Sequence, residues 1–342
     1  MSLSQFLRIA LLLVCGFCTS AWSHDKTDII TLYNGDKLTG EFQSLYGGVV
    51  SFNTDALGLV KIEWKHVSRF ESIYHYDIRL SDGTRYYAGI DETAIAGQIK
   101  VSSYDKQHSI EMLDIVELRA VEESWIDRIE IYLSAGYSYN KASSVAQTTL
   151  NTDISYEDEN TLNALTGRTT LTDTDTGTTN STKWDLSRTV WTDRSQLFRT
   201  FYGRFETNDE LALDSRYTGG AGLGRYFIDT QKLRWTGTAG LQVLTEQSTG
   251  GDRQESVEAF MSTSFAAWKF DTPELDLELK FNLYPSLSKT KRVRADTDIR
   301  IRWELVKDLF WDVTAFGTYD NKSGETEHEI DYGITTGIGW QY

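Results

Sequence analysis

Cysteine is nearly missing from this chain of 342 residues: it has two, Cys15 and Cys18, both inside one apolar run near the start. The rest therefore holds no disulfide, no thiolate metal site and no cysteine nucleophile. Proline is as scarce, with two residues against 26 glycines. No apolar run reaches the roughly 20 residues a membrane-spanning helix needs. Positive charge is in deficit too, 34 Lys and Arg against 50 Asp and Glu, for a net charge of −16. That balance speaks against nucleic acid as a partner, since its recognition wants a basic surface. The five histidines (His24, His66, His75, His108, His328) show no metal-ligand spacing. Asp173-Thr-Asp-Thr-Gly177 is no calcium loop, because its glycine comes one residue early and no glutamate closes it. No metal and no cofactor is expected.

What is abundant is aromatic: 18 Tyr, 15 Phe and 10 Trp. The last eleven residues are the most informative stretch. Tyr332, Ile334, Thr336, Ile338, Trp340 and Tyr342 alternate with Gly333, Thr335, Gly337, Gly339 and Gln341. Successive side chains of a strand point to opposite faces, so one face is apolar with aromatic tips and the other small or polar. A closing strand with lipid outside and water inside wants that pattern, and Tyr332, Ile334, Ile338, Trp340 and Tyr342 are its membrane-insertion residues. A soluble edge strand explains the alternation but not the terminal Trp and Tyr. The mean hydropathy of −0.40 agrees, because only every second barrel residue meets lipid.

The same alternation runs backward through the chain. Leu275, Leu277, Leu279, Phe281 and Leu283 alternate with Asp276, Glu278, Lys280 and Asn282. Val293, Ala295, Ile299, Ile301, Trp303 and Leu305 alternate with Arg294, Asp296, Asp298, Arg300, Arg302 and Glu304. Between 150 and 205 the pattern is noisier, with Arg188, Arg199 and Arg204 hard to place. Short connections, such as 192–196, 229–232 and 271–274, take turns with longer polar ones at 173–181, 208–214 and 248–254. Together these predict a transmembrane antiparallel β-barrel of about 12 strands over 125–342, with strands starting near 128, 147, 161, 180, 197, 214, 232, 254, 275, 292, 309 and 328. An even count brings the C-terminus back to the side of the N-terminal part; ten or fourteen strands would do so too.

The N-terminus reads as an export signal over 1–23: Arg8, the apolar Ile9 to Cys18, and small residues Ala21 and Ser23 before His24. A lipoprotein signal is disfavoured by the residues before either cysteine. A repeat offset by 48 positions follows, pairing Ile30 with Ile78, Leu32 with Leu80 and Gly35 with Gly83. Asn34-Gly35 and Asp82-Gly83 suggest two-residue hairpin turns. The reading is two small SH3-like or Sm-like β modules in tandem, 24–73 and 74–124. Units so small need packing against each other or the barrel rim. A binding role would use Tyr86-Tyr87, expected to be exposed, or the cleft between modules; a structural role is the blander reading.

Signal, a small β domain bearing Leu32-Tyr-Asn-Gly-Asp-Lys-Leu-Thr-Gly40, and a barrel with an aromatic last strand resemble the salt-induced outer-membrane protein family of Gram-negative bacteria, domain of unknown function 481. The resemblance implies an outer-membrane location and a part in osmotic or salt stress. It implies no reaction and no catalytic residues. The one histidine of the barrel part, His328, has Ser323 nearby, and such a loop pair is expected to be solvated surface rather than a hydrolase, so no catalytic residue and no enzyme is expected.

The constellation with physical content is the row of charges facing the lumen: Asp276, Glu278 and Lys280 beside Arg294, Asp296, Asp298, Arg300, Arg302 and Glu304. It is either a selectivity surface along a pore or a cross-strand salt-bridge lattice that closes a narrow barrel. The leading expectation is a non-enzymatic barrel of envelope integrity, porin-like in architecture, with a passive porin as the rival. Expected partners are outer-membrane lipids and, during insertion, the barrel-assembly machinery. Peptidoglycan or a periplasmic protein on the N-terminal modules stays open. The modules and the C-terminus are expected in the periplasm, and the absence of a long inward loop suggests a monomer.

Overall fold

The computed structural model describes residues 26–91, 93–103, 106–121, 125–126, 128–141, 144–158, 160–192, 195–209, 212–271, 273–288, 292–307, 309–321 and 330–340. The export signal, Ser323, His328 and Tyr342 lie outside these described residues. Among them the chain is all-β, with two short 3-10 turns.

The repeat folds as two copies of one unit. The first is β1 (Asp28–Leu32), β2 (Lys37–Tyr46), β3 (Val49–Thr54), β4 (Gly58–Glu63) and β5 (Val67–Glu71). The second is β6 (His75–Leu80), β7 (Arg85–Asp91), β8 (Gln98–Ser103), β9 (Lys106–Glu111) and β10 (Ile115–Ala120). In the first, β1 pairs with β2 and β5, and β2-β3-β4 continue; in the second, β6 pairs with β7 and β10, and β7-β8-β9 continue. The β2–β10 ladder joins the copies into one sheet of ten strands.

Equivalent residues of the two copies touch. Trp64 Nε1 donates to the Met112 carbonyl at 2.6 Å, and the Tyr76 hydroxyl donates to Asp28 Oδ2 at 3.3 Å, each pair 48 residues apart. Phe42, Phe70 and Tyr76 meet with ring centroids 4.7–5.5 Å apart, so one core serves both units. Neither unit alone would bury enough apolar surface.

Two local expectations are corrected. The turns at Gly35 and Gly83 are three-residue loops: Gly35 N bonds the Leu32 carbonyl and Leu32 N bonds the Asp36 carbonyl, and Gly83 repeats this with Leu80 and Thr84. Only the glycines have positive φ, +94° and +87°, whereas the two-residue turn would need it at Asn34 and Asp82 as well. Tyr86 and Tyr87 are half-buried rather than exposed, Tyr86 against the core and within 5.3 Å of the His108 ring.

The barrel sheet comprises β11 (Ile129–Asn140), β12 (Val145–Asp158), β13 (Thr161–Thr174), β14 (Gly177–Trp191), β15 (Leu197–Asn208), β16 (Leu213–Asp229), β17 (Leu233–Ser248), β18 (Gln254–Lys269), β19 (Leu275–Pro285), β20 (Val293–Val306), β21 (Leu309–Asp320) and β22 (Ile330–Trp340). Each pairs antiparallel with the next, giving the twelve strands the alternation predicts. Among the described residues no ladder joins β22 to β11. The sheet nevertheless curls strongly. Arg292, just before β20, reaches Glu246 on β17 at 3.0 Å, whereas strands three apart in a flat sheet are separated by about 14 Å.

The connection expected over 173–181 is instead a tight turn between β13 and β14, with Thr174 opposite Gly177. The threonines on either side continue the ladder, as their β-branched side chains favour.

Ladder register separates an outward face (Leu186, Leu223, Leu241, Ile338) from an inward one (Asp185, Gln242, Arg294, Gly337). Leu241 is 58% exposed at mid-strand on the outward face, a lipid-facing position. Leu241→Arg should cost about 2–4 kcal/mol. Its free energy of unfolding, from urea titration in vesicles, should drop by that amount, and an unchanged value would place the residue away from the membrane centre.

Candidate functional site in the barrel interior and its covered mouth

The β19–β20 ladder puts opposite charges face to face. Asp276 stands opposite Arg302, Glu278 opposite Arg300, and Lys280 opposite Asp298, with Asp296 opposite Asn282 and Arg294 opposite Tyr284. All nine predicted luminal charges thus share one face, but their surroundings differ. Lys280, Asp298 and Arg300 are exposed. Arg294 Nη2 donates to Glu258 Oε2 at 2.6 Å, and its guanidinium lies 5.2 Å from the Tyr284 ring. Arg302 stacks 4.4 Å over Phe310, and Glu304 is buried, accepting from the Glu274 backbone N–H at 2.9 Å.

The most enclosed groups were not singled out from the sequence. Glu258 is fully buried and takes hydrogen bonds from Arg294 and from Gln242 Nε2, the latter at 2.6 Å. Tyr202 donates to Gln242. Tyr202 and Phe260 meet edge to face at 5.5 Å above glycines of β16 and β17. A Cβ at Gly220 would lie 2.6 Å from the Tyr202 ring, and one at Gly240 2.7 Å from Phe260, so the wall is kept bare where the rings cross it. This cluster lies on the inward face at the middle of β15–β18.

Toward the longer connections lies a second set of paired charges. Glu246 accepts from Arg216 at 3.1 Å and from Arg292 at 3.0 Å, and Arg292 also holds Asp320 at 2.8 Å. Arg204, hard to place from sequence, points inward to Asp185.

At the other end the ten-stranded sheet sits on the short turns. Arg79, with 6% of its side chain exposed, donates to Asp229 Oδ2 at 2.6 Å and to Glu117. Arg119 and Arg85 both reach Glu157 at the end of β12, and Arg234 reaches Asp229 at 3.0 Å. Lys65 pairs with Asp271 at 2.8 Å, and Gln231 Nε2 donates to the carbonyls of Leu113 and Ile115.

Two left-handed glycines let the hairpins approach. A Cβ at Gly48 would lie 2.7 Å from the Gln231 carbonyl oxygen, and one at Gly83 2.6 Å from the Ser195 backbone. Burial and the neighbouring Glu117 and Glu157 push the Asp77 carboxyl up to about 6 despite Arg85 and Arg119. At Glu117 burial works upward, but Arg79, Arg234, Arg119 and Arg85 outweigh it and hold the carboxyl below its ordinary value. The junction is thus a mesh of four arginines and four carboxylates.

The profile of a family described as "Protein of unknown function, DUF481" matches residues 133–342. The chain belongs to that family. The match begins inside β11 and runs to the end of the chain, so it covers the barrel sheet and leaves the ten-stranded sheet outside. This DUF481 chain has the architecture of an outer-membrane β-barrel protein. A solved structure titled as the NanC porin is similar at 10% identity and a TM-score of 0.37, covering 62% of this chain and 100% of that one. No curated protein matches.

Proposed function

We propose that this protein is a non-enzymatic outer-membrane barrel of envelope integrity under osmotic or salt stress, monomeric, with a lumen held narrow by its own side chains. The short-turn rim and the ten-stranded sheet face the periplasm in this reading, as short turns do in barrels of this type. One observation carries it: the enclosed interior charges, Glu258, Arg294, Glu246 and Arg292, are spent on one another. Paired charges that fill a lumen leave it little water for a solute to follow.

The test is conductance of the refolded full chain in a planar bilayer, with folding verified by heat-modifiable migration. Expected is silence or small steps; large, steady conductance steps would overturn the reading.

A second reading, a weakly selective porin, draws on the exposure of Lys280, Asp298 and Arg300. It requires that Arg300→Glu shift the reversal potential in a salt gradient toward cation preference.

A further inference from the structure

Three arginines break the outward face of the barrel sheet. By register Arg188 of β14 stands opposite Asn163 and Phe201, Arg199 of β15 opposite Val190 and Leu223, and Arg225 of β16 opposite Leu197 and Gly237. These are the outward positions, shared with Leu186, Phe201 and Leu223, which are 58%, 47% and 67% exposed. Arg199 is two residues from Phe201 and from Leu197, so the three lie on one diagonal across adjacent strands. Diagonal neighbours in a ladder sit about 7–8 Å apart.

All three are exposed, and their ladder partners are uncharged. No ion pair or hydrogen bond joins their guanidiniums to any described residue. By contrast, the outward positions of β19 to β22 hold no charged residue. Arg188 and Arg199 lie within three residues of the β14–β15 turn, and Arg225 within four of the β16–β17 turn, so the row sits at the short-turn end.

Three like charges so close on a greasy surface repel one another and offer fifteen N–H donors without an acceptor (five per guanidinium). At the membrane centre such residues cost several kcal/mol, but at headgroup depth an anion neutralises them. A guanidinium fits a phosphate by paired N–H bonds, which an ammonium cannot do. Phe201, Phe227 and Trp235 flank the row on the same face, giving acyl chains an aromatic border.

We propose that Arg188, Arg199 and Arg225 form a binding site for the headgroup phosphate of an anionic glycerophospholipid at the short-turn rim. The choice of a glycerophospholipid rests on the reading that this rim is periplasmic, where the facing leaflet is built of such lipids.

The test uses the full chain in detergent, mixed with phosphatidylglycerol, phosphatidylcholine or lipopolysaccharide, and scores bound lipid by native mass spectrometry. The wild type should retain phosphatidylglycerol about fivefold or more over phosphatidylcholine, and R188Q/R199Q/R225Q should bring the two to parity. The variant only removes charge from an outward face, and its folding is verified by heat-modifiable migration. Arg199→Gln alone, the middle of the row, should lose part of the preference.

Equal retention in wild type and variant would overturn the site. A preference for lipopolysaccharide that the variant loses would overturn the assigned lipid and with it the periplasmic placement of the rim, leaving a phosphate site on the other leaflet.

Discussion

Arg79→Met is expected to undock the ten-stranded sheet from the barrel rim. Arg79 is a buried link of the junction, holding Asp229 at 2.6 Å on the barrel side and Glu117 on the sheet side, with its guanidinium 4.9 Å from the Tyr226 ring. Methionine keeps much of the volume but leaves two carboxylates in a poorly solvated junction. Removing one partner of a buried pair costs about 3–5 kcal/mol, and here the low end applies because Arg234 still serves both carboxylates. Limited proteolysis and hydrogen exchange should show faster cutting and exchange within 26–121, while the barrel keeps its heat-modifiable migration. Arg79→Lys retains the charge with fewer bonds and should fall between. If Arg79→Met left the protection of 26–121 unchanged, docking would rest on the Arg85 and Arg119 pairs to Glu157 and on the Lys65 and Gln231 contacts instead.

The second large effect is expected inside the barrel. Arg294→Met removes the only cation bonded to Glu258 among the described residues, and the Glu258 side chain has no exposed surface. One of its oxygens, Oε1, has no hydrogen-bond partner, so the remaining support is Gln242. The loss should be about 3–5 kcal/mol, read as a lower urea midpoint. Pairing the change with Glu258→Leu should recover most of it, because the charge left without a partner disappears too. A double variant as unstable as the single one would mean that stacking of the Arg294 guanidinium on Tyr284, rather than its pairing with Glu258, sets the effect.

Much of the fold was legible because a strand writes its environment into every second residue. The run from Leu275 to Leu283 and the run from Val293 to Leu305 fix the face of every residue, since a slip of one would turn every charge to lipid. The repeat was legible for a different reason: Gly35 and Gly83 hold the same left-handed turn position 48 residues apart. Less legible were β12 to β15, where outward arginines blur the alternation. Arg204 belongs inside with Asp185, while Arg188 and Arg199 belong outside, and no local pattern distinguishes them.

The sequence by itself determined that the chain is all-β, that about twelve strands follow a duplicated unit, and which side chains share a face in the clearly alternating strands such as β19 and β20. Those properties are local: period two, turn glycines and an aromatic end are set by neighbours along the chain. Only the tertiary structure decided what the charges do. Arg79 finds Asp229 across 150 residues, Arg292 finds Glu246 across 46, and Arg294 finds Glu258 across 36. Nothing in a ladder pattern specifies such partners, because they depend on how far the sheet curls and on where the ten-stranded sheet comes to rest. Whether a luminal charge is hydrated or paired is a property of that curvature, and so is the width of the path through the barrel.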